Sequence, residues 1–281
     1  KDINVTGSAN GFRIYESVAV GNMIYMIADD GFLQKGIWKS DGTAQGTVLV
    51  KELTDATFVG RLTSSGKLVY FAVTSRFDYN YKTYLWKSDG TSQGTVPVME
   101  IQNNIVGPDG RHLVDVNGIL YFNGINGLMK TDGTTQGTVL LLPSQSVIED
   151  MVNVNGKLFM IMYTNGNYRL YKSDGTPAGT VAVENKANGG VIWPLGVLGN
   201  EVFFRYSSSA DGLYKASDIL PVTPVKERFS DSQFTFYSVG STLYFTVRNG
   251  SINGKELWKT DGTTAATTLV KDINQGAASS D

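Results

Sequence analysis

A lysine and an aspartate recur together along this chain, always two residues apart: Lys39 and Asp41, Lys87 and Asp89, Lys130 and Asp132, Lys172 and Asp174, Lys259 and Asp261. Carboxylates from several copies could gather around a divalent cation, and a ring of ammonium groups could hold an anion. A calcium site needs several oxygen ligands converging on one ion, and each copy brings one carboxylate with no acidic neighbour. Within the run Lys-Ser/Thr-Asp-Gly-Thr, however, all three last residues suit a turn. Asp accepts from amides two or three residues ahead, Gly takes a positive φ, and Thr bonds back. Asp41, Asp89, Asp132, Asp174 and Asp261 are therefore read as structural turn residues, and neither a metal nor a cofactor is expected. The lysines, with Lys215 in a worn copy, are expected to lie over aromatic neighbours and reach solvent or a carboxylate.

Other reactive groups are sparse. His112 is the single histidine and there is no cysteine, so neither a His-based metal cluster nor a thiolate site can be built. No Ser or Cys partner marks His112 as part of a triad. No catalytic residue is assigned. A glycosidase or lyase would bring two carboxylates within about 5 to 9.5 Å of each other, and nothing in the sequence selects such a pair.

The elements that carry these residues follow from the spacing. The motif reads GIWKSDGT at Gly36 to Thr43, YLWKSDGT at Tyr84 to Thr91, GLMKTDGT at Gly127 to Thr134, RLYKSDGT at Arg169 to Thr176 and ELWKTDGT at Glu256 to Thr263, with a worn GLYKASD at Gly212 to Asp218. Marked at residues 41, 89, 132, 174, 217 and 261, the copies are 48, 43, 42, 43 and 44 residues apart. A fixed period of this size means a repeat array, too long for the coils of a linear β-solenoid. Each period holds four short runs rich in Val, Ile, Tyr, Phe and Thr, bounded by Gly, Asn and Asp, which are strand signals. Both faces of the second and third strands are apolar, as in a sheet covered on two sides. The expected fold is an all-β, six-bladed propeller with four antiparallel strands per blade. The blades are placed at about 5–53, 54–101, 102–143, 144–185, 186–228 and 229–274.

Connections one-to-two and three-to-four are short in every copy, whereas two-to-three and four-to-one vary. In a meander the two variable sets share one end, and binding residues are more often carried by such loops than by the scaffold. The longest insertion, SRFDYNYK at Ser75 to Lys82, alternates aromatic with polar residues. Phe77, Asp78, Tyr79, Asn80 and Tyr81 thus suit sugar stacking or a protein contact, the alternative being a longer β-hairpin. Asp29, Asp30, Arg111, His112, Trp193, Arg205, Tyr206, Arg248 and Asn249 are expected on or near the same end. Trp193, preceding Pro194, also suits a core position.

Composition bounds the partners. A net charge of -2 without a Lys/Arg cluster argues against nucleic acid and anionic membranes, and no run of 18 apolar residues offers a membrane span. A hydrophobic content of 41% supplies a core, and 32 glycines supply turns. KDIN at Lys1 to Asn4 repeats KDIN at Lys271 to Asn274, which points to a domain cut from a longer protein.

The copies resemble the ELWxxDGT repeat of secreted bacterial proteins, written in full as ELWKTDGTTAATTLVKDI at Glu256 to Ile273. The departures are Met129, Tyr171 and Tyr214 in place of Trp, Ala266 in place of the second Gly, and the worn fifth copy. The resemblance implies export, often to the cell surface, a propeller-like array, and no catalytic residues. A weaker resemblance is to the Asp-box turns of sialidases, whose Ser-x-Asp-x-Gly spacing is not met because Asp41 and Gly42 are adjacent. FRIY at Phe12 to Tyr15 is similar to the sialidase Arg-Ile-Pro element, with Tyr15 in place of Pro. The expected function is a secreted or cell-surface binding or scaffold module. Its partner is a protein or a surface glycan, and other domains of the same chain accompany it.

Overall fold

The computed structural model describes residues 13–29, 35–77, 80–101, 113–143, 147–164, 166–183, 190–207, 211–219, 221–229, 234–249 and 253–272. Among these every regular element is a strand. The chain divides into two units, Lys1–Pro143 and Ser144–Asp281.

In the first unit β1 (Arg13–Val20), β2 (Met23–Asp29), β3 (Lys35–Ser40) and β4 (Val48–Glu52) form an antiparallel sheet in chain order. An eight-stranded sheet follows. Its first half is β5 (Ala56–Ser65), β6 (Leu68–Phe77), β7 (Asn80–Ser88) and β8 (Val96–Ile101), and its second half is β9 (Leu113–Val116), β10 (Ile119–Gly124), β11 (Gly127–Thr131) and β12 (Val139–Pro143). The halves are separate meanders joined where Gly124 of β10 pairs with Ile101 of β8.

The second unit holds three four-stranded antiparallel sheets. These are β13 (Val147–Val154), β14 (Lys157–Thr164), β15 (Asn167–Ser173) and the short β16 (Val181–Ala182); β17 (Val191–Leu198), β18 (Glu201–Ser207), β19 (Gly212–Ser217) and β20 (Thr223–Glu227); and β21 (Phe236–Val239), β22 (Thr242–Asn249), β23 (Asn253–Thr260) and β24 (Thr268–Lys271). In all six meanders the first hairpin closes with a two-residue turn, and the residue types explain its twist. Asn117-Gly118 and Asn155-Gly156 have positive φ at both positions, whereas Gly21, Gly66, Gly199 and Gly240 supply it at the first. These are the primed turns that match right-handed strand twist.

The core lies between sheets. Ile27, Ile37 and Val50 pack against Val69, Phe71 and Val73, while Tyr70, Leu85 and Ile101 pack against Leu120, Phe122 and Met129. In the second unit Phe159, Ile161 and Leu170 meet Val202, Phe204 and Ala216. Phe203, Leu213 and Phe229 meet Leu243, Phe245 and Trp258. A strand buried on both faces must be apolar on both, which accounts for the aromatic-rich second and third strands.

The repeated turn is the same in five copies. Thr43 donates its amide and hydroxyl to Asp41 Oδ1 at 2.9 and 2.7 Å, and its Oγ1 accepts the Gly46 amide at 2.9 Å. Residues 89–94, 132–137, 174–179 and 261–266 repeat these bonds. A hydroxyl pair closes the base of each turn, Ser40 with Thr47 and its counterparts at 88 and 95, 131 and 138, 173 and 180, and 260 and 267. The second Gly has a steric reason: a Cβ on Gly46, Gly94, Gly137 or Gly179 would stand 2.0 to 2.1 Å from the nearest carboxylate atom of the turn's Asp. Where the sixth copy carries Ala266, its amide bond to Thr263 Oγ1 lengthens to 3.2 Å.

Lys215 and Lys172 reach carboxylates as expected, those of Glu201 and Asp218, but two other lysines differ from expectation in where they end. Lys39 Nζ donates to the carbonyl of Gly90 at 2.8 Å, and Lys87 Nζ donates to that of Gly133, in each case the turn glycine of the next meander. Lys172 reaches the Asp218 carbonyl at 2.5 Å and its carboxylate at 3.1 Å, where the worn copy stands. The aromatic contact belongs to another lysine: Lys51 and Lys226 of the fourth strands lie over Trp86 and Trp258, and donate to the carbonyls of Thr95 and Thr267 at 2.8 and 2.9 Å. The Asp-Gly-Thr turn is therefore a joint between sheets as well as a hairpin.

Candidate functional site

The longest hairpin is β6–β7, which runs from Val69↔Ser88 to Phe77↔Asn80. The 48-residue step of the sequence thus becomes extended strands. Thr74 and Thr83 share a buried hydroxyl bond of 2.9 Å within it, and Lys82 pairs with Glu100 at 3.1 Å on the adjoining strand. Beyond them Arg76 and Tyr81 form an exposed cross-strand pair, Tyr81 with 54% of its surface open. At the root of the hairpin the β4–β5 connection borders a cavity of about 170 Å³ lined by Glu52, Asp55, Val73, Ser75 and Trp86 among others. An aromatic wall, two carboxylates and a hydroxyl are thus held at the end of the sheet that carries the variable loops.

The same end of the first sheet carries a second polar cluster. Tyr15 donates its hydroxyl to Asp29 at 2.5 Å, which holds that hydroxyl's pKa above its ordinary value. Arg13 and Lys35 each stand 5.1 Å from the Tyr15 ring. Asp29 itself is buried, so the expectation that it faces a ligand openly is corrected: its carboxylate serves the β1–β2 pair.

Other expected residues are distributed unevenly. Arg205 is committed to Asp211, with Nε at 3.0 Å from one carboxylate oxygen and a second nitrogen at 2.5 Å from the other. Tyr206 is core, not surface: its ring occupies the space a side chain on Gly190 would need and meets Tyr214 edge-on at 5.5 Å. Arg248 is exposed near the end of β22, whose Asn249 pairs with Asn253. Phe77 and Asn80 are the closing backbone pair of the hairpin, and Trp193 lies in the β17 bulge between Ile192 and Leu195. Asp30, Asp78, Tyr79, Arg111 and His112 lie outside the described residues. The turn residues Asp41, Asp89, Asp132, Asp174 and Asp261 all have lowered pKa values, first because a Thr hydroxyl donates to each and then because the same Thr's amide does. Among the described residues no group of three His, Asp or Glu side chains gathers to hold a cation.

A further cavity, of about 430 Å³, lies at the opposite end of the strands, where the fifth copy lacks its Asp-Gly-Thr turn. Asn155 and Asn200 from two-residue turns line it, with Lys157, Glu201 and Asp218 around an apolar floor of Val154 and Phe159. Its charged side chains are ion-paired: Lys172 and Lys157 approach Asp218 at 3.1 and 3.8 Å, and Lys215 approaches Glu201 at 2.9 Å. Sequence reasoning placed function only at the variable end. The signal for this cavity was the worn motif itself, since in the intact copies the turn glycine fills the corresponding space, as Gly133 does against Leu68 and Tyr70.

No protein-family model and no curated protein sequence matches the chain. Solved structures do. Prolyl oligopeptidase B from Galerina marginata is 12% identical with a TM-score of 0.58, over 96% of this chain and 44% of that one. Oligopeptidase B from Leishmania major is 10% identical with a TM-score of 0.58, over 96% and 42%. A structure from a study of two prolyl endopeptidases is 14% identical with a TM-score of 0.54, over 92% and 41%. The chain thus spans less than half the length of these proteins, and the likeness concerns fold alone. With its four-stranded antiparallel sheets packed face to face, the chain is a β-propeller domain like those of the oligopeptidases.

Proposed function

We propose that this chain is a six-bladed propeller, one blade per repeat, that acts outside the cell as a non-catalytic binding module for a protein partner. The observation that carries the reading is the β6–β7 hairpin, which holds the exposed Arg76 and Tyr81 pair beyond a cleft walled by Trp86 and edged by Glu52 and Asp55. Exposed aromatic and arginine side chains are the residue types that dominate protein interfaces. The resemblance to the ELWxxDGT repeat supports export and a cell-surface setting. No residue carries over from the peptidase chains, so no peptidase activity is assigned. The test is capture of surface proteins from the source organism by the purified domain, with Tyr81→Ala and Arg76→Ala compared. A partner bound at least 10-fold more weakly by both folded variants supports the reading, and equal binding overturns it.

A carbohydrate ligand is the second reading, favoured by the cavity whose charged side chains are ion-paired, with Asn155 and Asn200 at its rim. Amides beside neutralised charges suit hydroxyl groups of an uncharged sugar. Binding on a glycan array that Asn200→Ala abolishes supports it. Absence of any hit sets it aside.

A further inference from the structure

Counted from the third-strand lysine, Asp29↔Lys35 of β2–β3, Thr74↔Thr83 of β6–β7 and Tyr163↔Tyr168 of β14–β15 are the same cross-strand pair of the repeat. In the β1–β4 and β13–β16 sheets a bulge of the first strand brings a third side chain to this place. It is Tyr15, between Ile14 and Glu16, in one sheet and Glu149, between Ile148 and Asp150, in the other. Bulges of this kind re-aim a side chain.

The first two pairs find their partners within the chain. Tyr15 donates to Asp29, while the Arg13 guanidinium and the Lys35 ammonium each stand 5.1 Å from the centre of the Tyr15 ring. Thr74 and Thr83 bond to each other at 2.9 Å. The β13–β16 sheet also brings together a carboxylate and an aromatic ring, but a second ring, Tyr168, takes the place of Lys35. The rings of Tyr163 and Tyr168 have centroids 4.7 Å apart at 51°, and Tyr163 is 38% exposed. Glu149 is half-buried, and among the described residues no hydrogen bond or ion pair reaches its carboxylate. Burial alone raises its pKa. The Tyr168 hydroxyl is raised by its own burial and then by the Glu149 charge, so the carboxylate lies beside the tyrosine pair. Tyr168 packs with Ile192 and Leu195 of β17, which keeps the cluster within the unit Ser144–Asp281. Arg169, the next residue of β15, points to the opposite face of the sheet.

A half-buried carboxylate without a counterion attracts positive charge, and tyrosine faces add the attraction of their quadrupoles. We propose that Glu149, Tyr163 and Tyr168 form a binding site for an organic ammonium group, which fills from solution the place that Lys35 and Arg13 occupy in the β1–β4 sheet. The site is separate from the β6–β7 hairpin and does not depend on a protein partner there.

The purified protein is titrated with tetramethylammonium chloride and with n-butylammonium chloride, each compared with sodium chloride at equal ionic strength. The readout is the ring-proton chemical shifts of Tyr163 and Tyr168, which should saturate with an ammonium salt and not with sodium. Tighter binding of tetramethylammonium assigns the site to quaternary head groups, and tighter binding of butylammonium to lysine-like side chains. Glu149→Gln keeps the volume and should weaken binding by about 10-fold or more. Tyr163→Leu and Tyr168→Leu should each weaken it by about 2- to 5-fold, whereas Tyr163→Phe keeps the ring and should bind as the wild type does. Glu149→Gln and Tyr163→Phe decide the matter even if a leucine variant fails to fold by circular dichroism. Rings that respond alike to sodium and ammonium, or an ammonium affinity unchanged in folded Glu149→Gln, would overturn the proposal.

Discussion

At the scale of single residues, two carboxylates in first-strand bulges tie neighbouring sheets together. Asp150 is buried in the β13 bulge, where it accepts the amide of Leu195 on the neighbouring first strand at 2.8 Å. Glu16 does the same for the amide of Leu62 at 2.7 Å, from the equivalent bulge of β1. Truncating the buried one leaves an amide without its partner inside the sheet stack, which costs about 1 to 3 kcal/mol. Asp150→Ala should therefore lower the unfolding free energy read from urea denaturation by that much, and Asn should recover part of it. The turn glycines are more forgiving. A Cβ on Gly137 meets only the carboxylate of Asp132, and in the copy that carries Ala266 the bonds of Thr263 to Asp261 stay at 2.8 and 2.7 Å while the Ala266 amide to Thr263 Oγ1 bond lengthens to 3.2 Å. Gly137→Ala should cost less than about 1 kcal/mol, and a larger loss in the same unfolding experiment would mean that the carboxylate cannot shift there.

At the scale of elements, the four-strand period and its turns were legible because both are local: the Asp-Gly-Thr bonds close within seven residues, and each first hairpin needs only a glycine of the right sign. What the turns join was not legible. The acceptor of Lys39 is 51 residues away, and no pattern inside one repeat says that its partner is a carbonyl and not a carboxylate. Tyr206 was misplaced for a similar reason, since a strand-end tyrosine looks exposed unless the bare Gly190 is known to face it. The fourth-strand lysines permit a direct test of these joints. Lys51→Met keeps the apolar stem but loses the bond to Thr95 and the contact with Trp86, and should cost about 1 kcal/mol in chemical unfolding. Tyr81→Ala at the tip of β6–β7 should leave the same unfolding curve in place, because its side chain is exposed.

At the scale of the whole molecule, repetition turns small local effects into a collective pH response. All five intact turns hold an aspartate whose folded pKa lies below the ordinary value of 3.8, with the Thr hydroxyl as the leading cause. A depressed carboxyl pKa contributes stability that is complete above the unfolded value and is lost as pH falls through the folded one. Glu149, raised above 4.5 by burial, works in the opposite sense, but it is a single group. The melting temperature should accordingly hold between about pH 5 and pH 7 and drop as pH falls below about 4, where the aspartates begin to protonate in the unfolded chain. Exposure of these turns means that each contributes little by itself and that solvent screening trims it further. The distinguishing variant is Thr→Val in successive copies, at Thr43, Thr91, Thr134, Thr176 and Thr263. Each replacement removes the leading cause of one depression, so stability at neutral pH should fall stepwise while its dependence on acid becomes shallower. A pH profile of unchanged steepness after all five replacements would assign the acid sensitivity to other carboxylates, with the buried Asp150 the first to examine.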